Sequence, residues 1–410
     1  MSCNNKGFSL KLNGASWMWG YNGVGGLGDN TLTDRSSPVA VVGSHSFMML
    51  SGSNGGSAGL KAAGQMWGWG TNAQGQIGDG TLTTRSSPVQ VVGNHVFTSI
   101  ATSTWNSYGL KDTGQIWAWG SNSYGQLGTG NNNSYSSPIQ VIGSHSFTQM
   151  HASSGHVIAL KGDGTAWAWG INNTGQVGNN TLDPKVSPVA VVGGHSFIQV
   201  AAGGLTNGMS IGLKINGSAW TWGYNGTGNL GDNTITSRSS PVAVIGGHSF
   251  VYVSGGLTTD QTAGSAGGLK SDGSLWLWGT NTYGQLGDGT TTNRSSPVQV
   301  VGSHSFLEFN LGNNFSMAVK SDGSVWSWGS NTQGRLGTNN ATSYSSPVQV
   351  VGAHSFLHMA SGTNRIPVCN SETWYRWPAY WVNISGSWKR VINMYQLING
   401  AWKANSTLNT

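Results

Sequence analysis

An all-β, seven-bladed β-propeller is the fold this sequence predicts, and three observations lead there. Trp-x-Trp-Gly occurs seven times, at 17–20, 67–70, 117–120, 167–170, 220–223, 276–279 and 326–329, with spacings of 50, 50, 50, 53, 56 and 50 residues. A period in that range marks a repeat architecture. Each repeat holds four short stretches of strand character, too few to bury both faces of a sheet alone, which suits blades packed around an axis. Finally, the array begins one strand short and ends one strand over.

The third copy shows the unit. Residues 97–101 alternate apolar and polar and read as a first strand; Tyr108-Gly-Leu-Lys111 reads as the second. Asp112-Thr-Gly114 turns the chain into the third, Gln115-Ile-Trp-Ala-Trp119. Tryptophans at i and i+2 face the same way, and each buries roughly 200 Å² against a neighbouring sheet. A Gly/Asn-rich stretch at 120–128 and a Ser-Ser-Pro stop at Pro138 precede a fourth strand at 139–142, followed by Gly-Ser-His-Ser-Phe147. The array opens with a second strand at 7–11, and a surplus first strand at 356–360 can fill the vacancy, closing the propeller and removing two open edges. Residues 1–363 are therefore assigned to the propeller and 364–410 to a small β-rich appendage.

Composition narrows the function. The chain has 410 residues, of which 8% are charged, against about 25% in ordinary soluble domains. Its 20 Trp and strict period exclude disorder, since a disordered segment lacks the apolar surface to offset ordering entropy. The net charge is +6, yet Lys11, Lys61, Lys111, Lys161, Lys214, Lys270 and Lys320 share one repeat position and are dispersed around the ring. That is no basic patch, so no nucleic-acid partner is expected. No stretch approaches the ~20 apolar residues of a membrane span, so no membrane insertion is expected either. The opening residues lack the apolar core of a signal peptide, so the expected route is not the usual export path. Cys3 and Cys369 flank the array, as two free thiols or as a bridge between its ends.

The repeated pattern Gly-Leu-Lys-x-x-Gly-x-x-Trp-x-Trp-Gly-x-Asn-x-x-Gly-Gln-Leu-Gly-x-Gly, followed by Pro-Val-x-Val, closely resembles the repeat of the regulator of chromosome condensation family over residues 6–361. The resemblance implies a seven-bladed propeller. It implies less about activity, because that family includes nucleotide-exchange factors, a plant ultraviolet photoreceptor and a secreted β-lactamase inhibitor. The photoreceptor's Gly-Trp-Arg-His-Thr motif is missing here, as are a basic chromatin-binding tail and an inserted exchange-factor wedge.

After Thr363 a different period begins, with Trp374, Trp388 and Trp402 each 14 residues apart. Trp381-Val-Asn-Ile-Ser-Gly-Ser-Trp-Lys389 and Tyr395-Gln-Leu-Ile-Asn-Gly-Ala-Trp-Lys403 are near copies, and Ser-Gly or Asn-Gly before Trp reads as a hairpin turn. This tail is similar to short Gly-x-Trp-Lys repeats of phage virion and tail proteins. Trp374, Trp377, Trp381, Trp388 and Trp402 are its expected anchoring residues, docking on the propeller or on another subunit.

No chemistry-bearing constellation stands out. His45, His95, His145, His195, His248, His304 and His354 occupy one repeat position and are expected to be turn histidines bonded to backbone. His151 and His156 lie five residues apart, in an expected loop, without the Cys or acidic partners a metal site wants. Gly-Gln-Leu-Gly lacks the Gly-Lys-Ser/Thr ending of a phosphate loop and reads as structural. Asp163, Asp272 and Asp322 precede turn glycines. The chain is thus expected to be no enzyme, with no catalytic residue, metal or cofactor.

Length variation points to a binding face. Between first and second strands the segments 51–61, 101–111, 151–161 and 310–320 have 11 residues, whereas 201–214 has 14 and 254–270 has 17. Strand alternation puts this connection and the long Gly/Asn loop on one face. Repeat identity breaks there at Trp105, Asn106, His151, His156, Asn207, Met209, Asp260, Gln261 and Phe315, and at Tyr135 and Tyr344 where four copies have Arg. Aromatics on loops held by a rigid scaffold are binding equipment. The expected function is a non-enzymatic virion component, a phage tail or fibre protein assembled in the host cytoplasm. It would bind a host surface protein or glycan through this face, and other virion proteins through the tail. The alternative is a cellular protein–protein interaction scaffold or exchange-factor-like regulator.

Overall fold

The computed structural model describes residues 6–10, 14–53, 55–204, 206–256, 264–352, 358–360, 380–384, 387–398 and 401–407. Its architecture is all-β: seven four-stranded antiparallel sheets form the blades of a propeller. Blade 2 serves as the type, with strands Met49–Gly52, Gly56–Leu60, Met66–Gly70 and Arg85–Gln90 hydrogen-bonded in that order. First strands of successive blades lie side by side around the axis, and side chains staple them. The Ser51 hydroxyl accepts the Thr102 amide at 2.9 Å, and Gln149 Oε1 accepts that of Val200 at 3.1 Å.

The core lies between blades. Each apolar cluster joins residues of one blade to the second Trp of the next, as Phe8, Leu10, Met18, Leu27, Phe47 and Leu50 surround Trp69. Trp19, Trp69, Trp119, Trp169, Trp222, Trp278 and Trp328 are all fully buried. Every one donates its indole N–H to a backbone carbonyl of the preceding blade, at 2.9–3.1 Å: Gly26, Gln76, Gln126, Gln176, Asn229, Gln285 and, for Trp19, Arg335. A buried indole N–H needs such an acceptor. The bond from Trp19 to Arg335 links blade 1 to blade 7. Removing one of these rings costs roughly 3–5 kcal/mol.

Several expectations about element limits shift. The fourth strand starts before its proline: in Tyr135–Gln140, Pro138 lies inside the strand. It sits in a bulge on the outermost strand, where Gly120 pairs Tyr135 but Ala118 pairs Ile139, so its missing N–H interrupts no ladder bond. The second strand begins earlier than expected, at Asn106, and ends at Leu110. Blade 1 contains Lys6–Leu10, Ser16–Gly20 and Arg35–Ala40, and His358–Ala360 pairs antiparallel with Lys6–Leu10, Phe8 opposite Ala360. Beyond the blades, Tyr380–Ile384, Ser387–Ile398 and Ala401–Thr407 form a three-stranded meander with Asn383 opposite Trp388 and Leu397 opposite Trp402. Trp374, Trp377, Cys3 and Cys369 lie outside the described residues.

Candidate binding face

The first-to-second and third-to-fourth connections leave the blades on one face of the disc, and the turns between second and third strands on the other. The long third-to-fourth connection is built on one buried asparagine per blade: Asn22, Asn72, Asn122, Asn172, Asn225, Asn281 and Asn331. Asn72 shows the plan: its Oδ1 accepts the Ile77 amide at 2.9 Å, while its Nδ2 donates to Asp79 Oδ1 and the Thr81 carbonyl. Gly75 and Gly78 turn the loop at positive φ, and a Cβ on Gly75 would press on Ser136 of the next blade. The loop is scaffold, as the sequence suggested.

The glutamine of Gly-Gln-Leu-Gly reaches further. Gln76 Nε2 donates to the Thr104 carbonyl and Gln176 Nε2 to the Thr206 carbonyl, each in the first-to-second connection of the next blade. Asn229 Nδ2 does the same to the Gly264 carbonyl. The two lengthened connections are also joined to each other, Gly204 N to Gly256 O at 2.9 Å. This bond ties the described ends of the two connections across the boundary between blades 5 and 6.

Not all the predicted site residues reach this surface. Asn106, His156, Met209 and Phe315 are the first residues of second strands, and all four are buried. With Lys6, Gly56 and Ser265 they share one register, opposite the Gly that follows Trp-x-Trp. One repeat position thus carries seven different residues, a set of interior keys between blades instead of a row of contact residues. His156, expected in a loop, hydrogen-bonds Ser153 Oγ at 2.7 Å through Nδ1 and Ser210 Oγ of the next blade at 2.9 Å through Nε2. Desolvation holds its pKa down at about 3. His151, on the inner strand Phe147–Ala152, accepts the Ala202 amide at 3.0 Å. Lys6 is wholly buried, its pKa lowered to about 7 by desolvation, with Nζ near Gly26 O, Gly56 O and Ser57 Oγ.

Tyr135 and Tyr344 have a structural reason. In four blades the equivalent Arg35, Arg85, Arg238 and Arg294 pair with Asp29, Asp79, Asp232 and Asp288 at 2.7–3.4 Å. Where Tyr replaces Arg, Thr129 and Thr338 replace the Asp, and Asn131 and Asn340 donate to the Tyr hydroxyls. Both partners changed together, which the sequence shows once the repeats are aligned. Among the described residues of the predicted set Trp105 is the one large exposed side chain, 39% accessible, and Asn207 is half-buried. Asp260 and Gln261 lie outside the described residues.

On the opposite face the six described repeat histidines are not turn residues bonded to backbone. Each ring packs on the first Trp of the following blade, 4.3–4.5 Å between centroids, as His45 on Trp67. A lysine Nζ lies 4.1–4.6 Å over the same indole, Lys61 over Trp67 and so through Lys320 over Trp326. Desolvation first and the lysine charge second hold these imidazoles below their ordinary pKa. In these six blades the first Trp of the pair is therefore a half-exposed cation–π platform.

Among the described residues no group of three or more His, Cys, Asp or Glu could hold a metal ion, and no helix is long and apolar enough to cross a membrane.

Solved structures share this architecture. Human WBSCR16 superposes with a TM-score of 0.75 at 18% identity, over 91% of this chain and 100% of that one. Prp20p from Saccharomyces cerevisiae gives 0.72 at 18% identity over 88% and 94%. By sequence, the chain is similar to the E3 ubiquitin-protein ligase HERC2 of Homo sapiens, 29% identical over 114 residues. It is also similar to the ultraviolet-B receptor UVR8 of Arabidopsis thaliana, 32% identical over 93 residues. These matches cover 27% and 22% of this chain but only 2% and 20% of those relatives. The model of the Regulator of chromosome condensation (RCC1) repeat matches residues 63–108, 113–160, 163–206, 216–258, 272–319 and 322–364, two thirds of the chain, which therefore belongs to the RCC1 repeat family.

Proposed function

We propose that this propeller is a binding protein that docks a protein partner on the face carrying its first-to-second strand connections, as an interaction scaffold or exchange-factor-like regulator. One observation carries the reading: the only changes in repeat length fall in blades 5 and 6, in adjacent connections hydrogen-bonded to each other and latched by Gln176 and Asn229. Bonds that tie these connections to each other and to the preceding blades pre-organise their described residues, so less ordering entropy is lost on docking. A structure of yeast Prp20 describes it bound to Kap60, and another concerns its binding to Gsp1p and histones. Those partners belong to that protein; they support a protein ligand here. The test is capture of a small GTPase or of histones by the purified chain, compared with Thr206→Lys. Binding lost in that variant supports the reading, and binding indifferent to it removes this face from the account.

A second reading is a phage-type virion component on the tail or a fibre, assembled in the host cytoplasm and anchored by the Trp-Lys tail. It is favoured by the three-stranded meander formed by the two near copies at 380–407. Co-purification with intact virions, lost on removal of 364–410, would select it over the first.

A further inference from the structure

We infer that blade 3 carries, on the same face, a site for a neutral carbohydrate, with Trp105 as its stacking platform. The inference goes beyond the protein-partner reading and stands without it. Trp105 sits at the tip of a hairpin that is tied down from three sides. Ser103 N donates to Asn106 O at 2.8 Å, Ser121 N donates to the Trp105 carbonyl at 3.0 Å, and the Thr104 hydroxyl meets Ser154 of blade 4 at 2.7 Å. These bonds hold the backbone of the tip in place, and the Trp105 side chain it carries is 39% accessible.

Its surroundings choose the ligand class. Gly55, the equivalent tip in blade 2, has Thr71 of its own blade and Val24 of the preceding blade against its Cβ position. Around Trp105 those two positions hold Ser121 and Gln74. Tyr124, 44% accessible, stands at the position equivalent to Val24, next to the blade 4 tip Gly155, which has no side chain. Residues 103–106 and 120–135 contain no Asp, Glu, Lys, Arg or His. Blades 1, 2 and 5 have an Asp–Arg pair here and an exposed Leu32, Leu82 or Ile235; blade 3 has Thr129 with Tyr135, and Asn132. Charge and aliphatic surface have both been exchanged for amide and hydroxyl groups.

An exposed indole face, electron-rich at its centre, attracts the weakly positive C–H edge of a pyranose, while amides and hydroxyls both donate to and accept from its hydroxyl groups. A single-stranded nucleic acid would also stack, but needs cations along its backbone that this blade does not offer. Blade 7 is a partial internal control: Thr338, Tyr344 and Ala341 likewise replace the Asp–Arg pair and the aliphatic residue, but Arg335 stands at the glutamine position and bonds the Asn313 carbonyl, and the tip, Asn313-Asn314, carries no aromatic platform.

The experiment is co-sedimentation of the whole protein with cellulose, chitin, starch and a β-1,3-glucan, with an acidic polysaccharide as control, at low and high salt. The expected result is retention on at least one neutral polymer, unchanged by salt and weakened about tenfold or more in Trp105→Ala. Trp105→Tyr should restore part of it, and Asn314→Ala should leave it intact; thermal melting confirms that each variant is folded. Retention on none of the neutral polymers, retention on the acidic one alone, or full binding by folded Trp105→Ala would overturn the inference. GTPase or histone capture, which depends on blade 5, is read separately, so either reading can fail alone.

Discussion

The two faces of this disc are built by different rules. On one, the Lys–Trp–His stack recurs in six blades with almost the same spacing, 4.3–4.5 Å from imidazole to indole. On the other, two connections are longer than the rest, the tips depart from Gly at Trp105 and Asn314, and the buried key is different in every blade. A contact that must be made seven times to close a ring cannot vary without straining every neighbour, because close-packed interiors transmit strain. Connections beyond the last ladder bond are free of that demand. The difference teaches that repetition marks what holds the ring and variation marks what an individual blade does.

The comparison can be broken most forcefully at the interblade core. Trp222→Ala should lower stability by about 3–5 kcal/mol, chiefly through the cavity left between blades, since the Gln176 carbonyl keeps the Ser210 hydroxyl as a donor. Trp220→Ala, the half-exposed member of the same pair, should lose no more than about 1–2 kcal/mol; equal losses in denaturant titrations would show that the two are not different kinds of residue. Next in size is the loop asparagine. Asn172→Ala orphans the Val177 amide and should cost about 1–3 kcal/mol, read as a fall in melting temperature.

Two buried keys make pH-dependent predictions. His156 is neutral in the folded chain down to about pH 3, whereas the unfolded chain protonates it near pH 6.5. Its contribution is therefore complete above pH 6.5 and is lost as pH falls toward 3. His156→Gln should flatten the acid side of the stability profile, and an unchanged profile would show that His156 is not buried. Lys6 follows the same sign at higher pH: with its folded pKa near 7 and its unfolded value at 10.5, stability should rise as pH increases from 7 to 10.5. Lys6→Met should remove that rise and increase the melting temperature at pH 7, since Gly26 O keeps Trp69 and Ser57 as donors and Gly56 O keeps the Ser53 amide. The smallest effect belongs to Lys214→Ala, about 0.5–1 kcal/mol for an exposed cation–π contact.

Much of the framework was legible in the sequence because it is written seven times. Trp-x-Trp-Gly, Gly-x-Asn and Gly-Gln-Leu-Gly each resolve into one bond pattern used around the ring, and strand alternation put the first-to-second and third-to-fourth connections on one face, as the blades do. Depth was harder to read. Phe315 and His156 stand out by breaking the repeat, but a break at the first residue of a strand and a break at a hairpin tip look alike in a linear string. Only the second-to-third register separates Asn106, which is inside, from Trp105, which is out. The Tyr135 and Tyr344 exchanges misled for a related reason: each was read alone, while its partner Thr six residues earlier carried the explanation.

The most direct test compares the two faces for binding. Thr206→Lys with Asn207→Lys alters the lengthened connection of blade 5, and Lys161→Glu with Lys214→Glu alters the opposite ring, both on surfaces outside the interblade core. Measured side by side for capture of the small GTPase or histones, the first pair should lose at least about tenfold in affinity and the second should match the parent protein. A loss confined to the second pair would put the partner on the face that repeats, and the distinction between holding and recognising would be wrong.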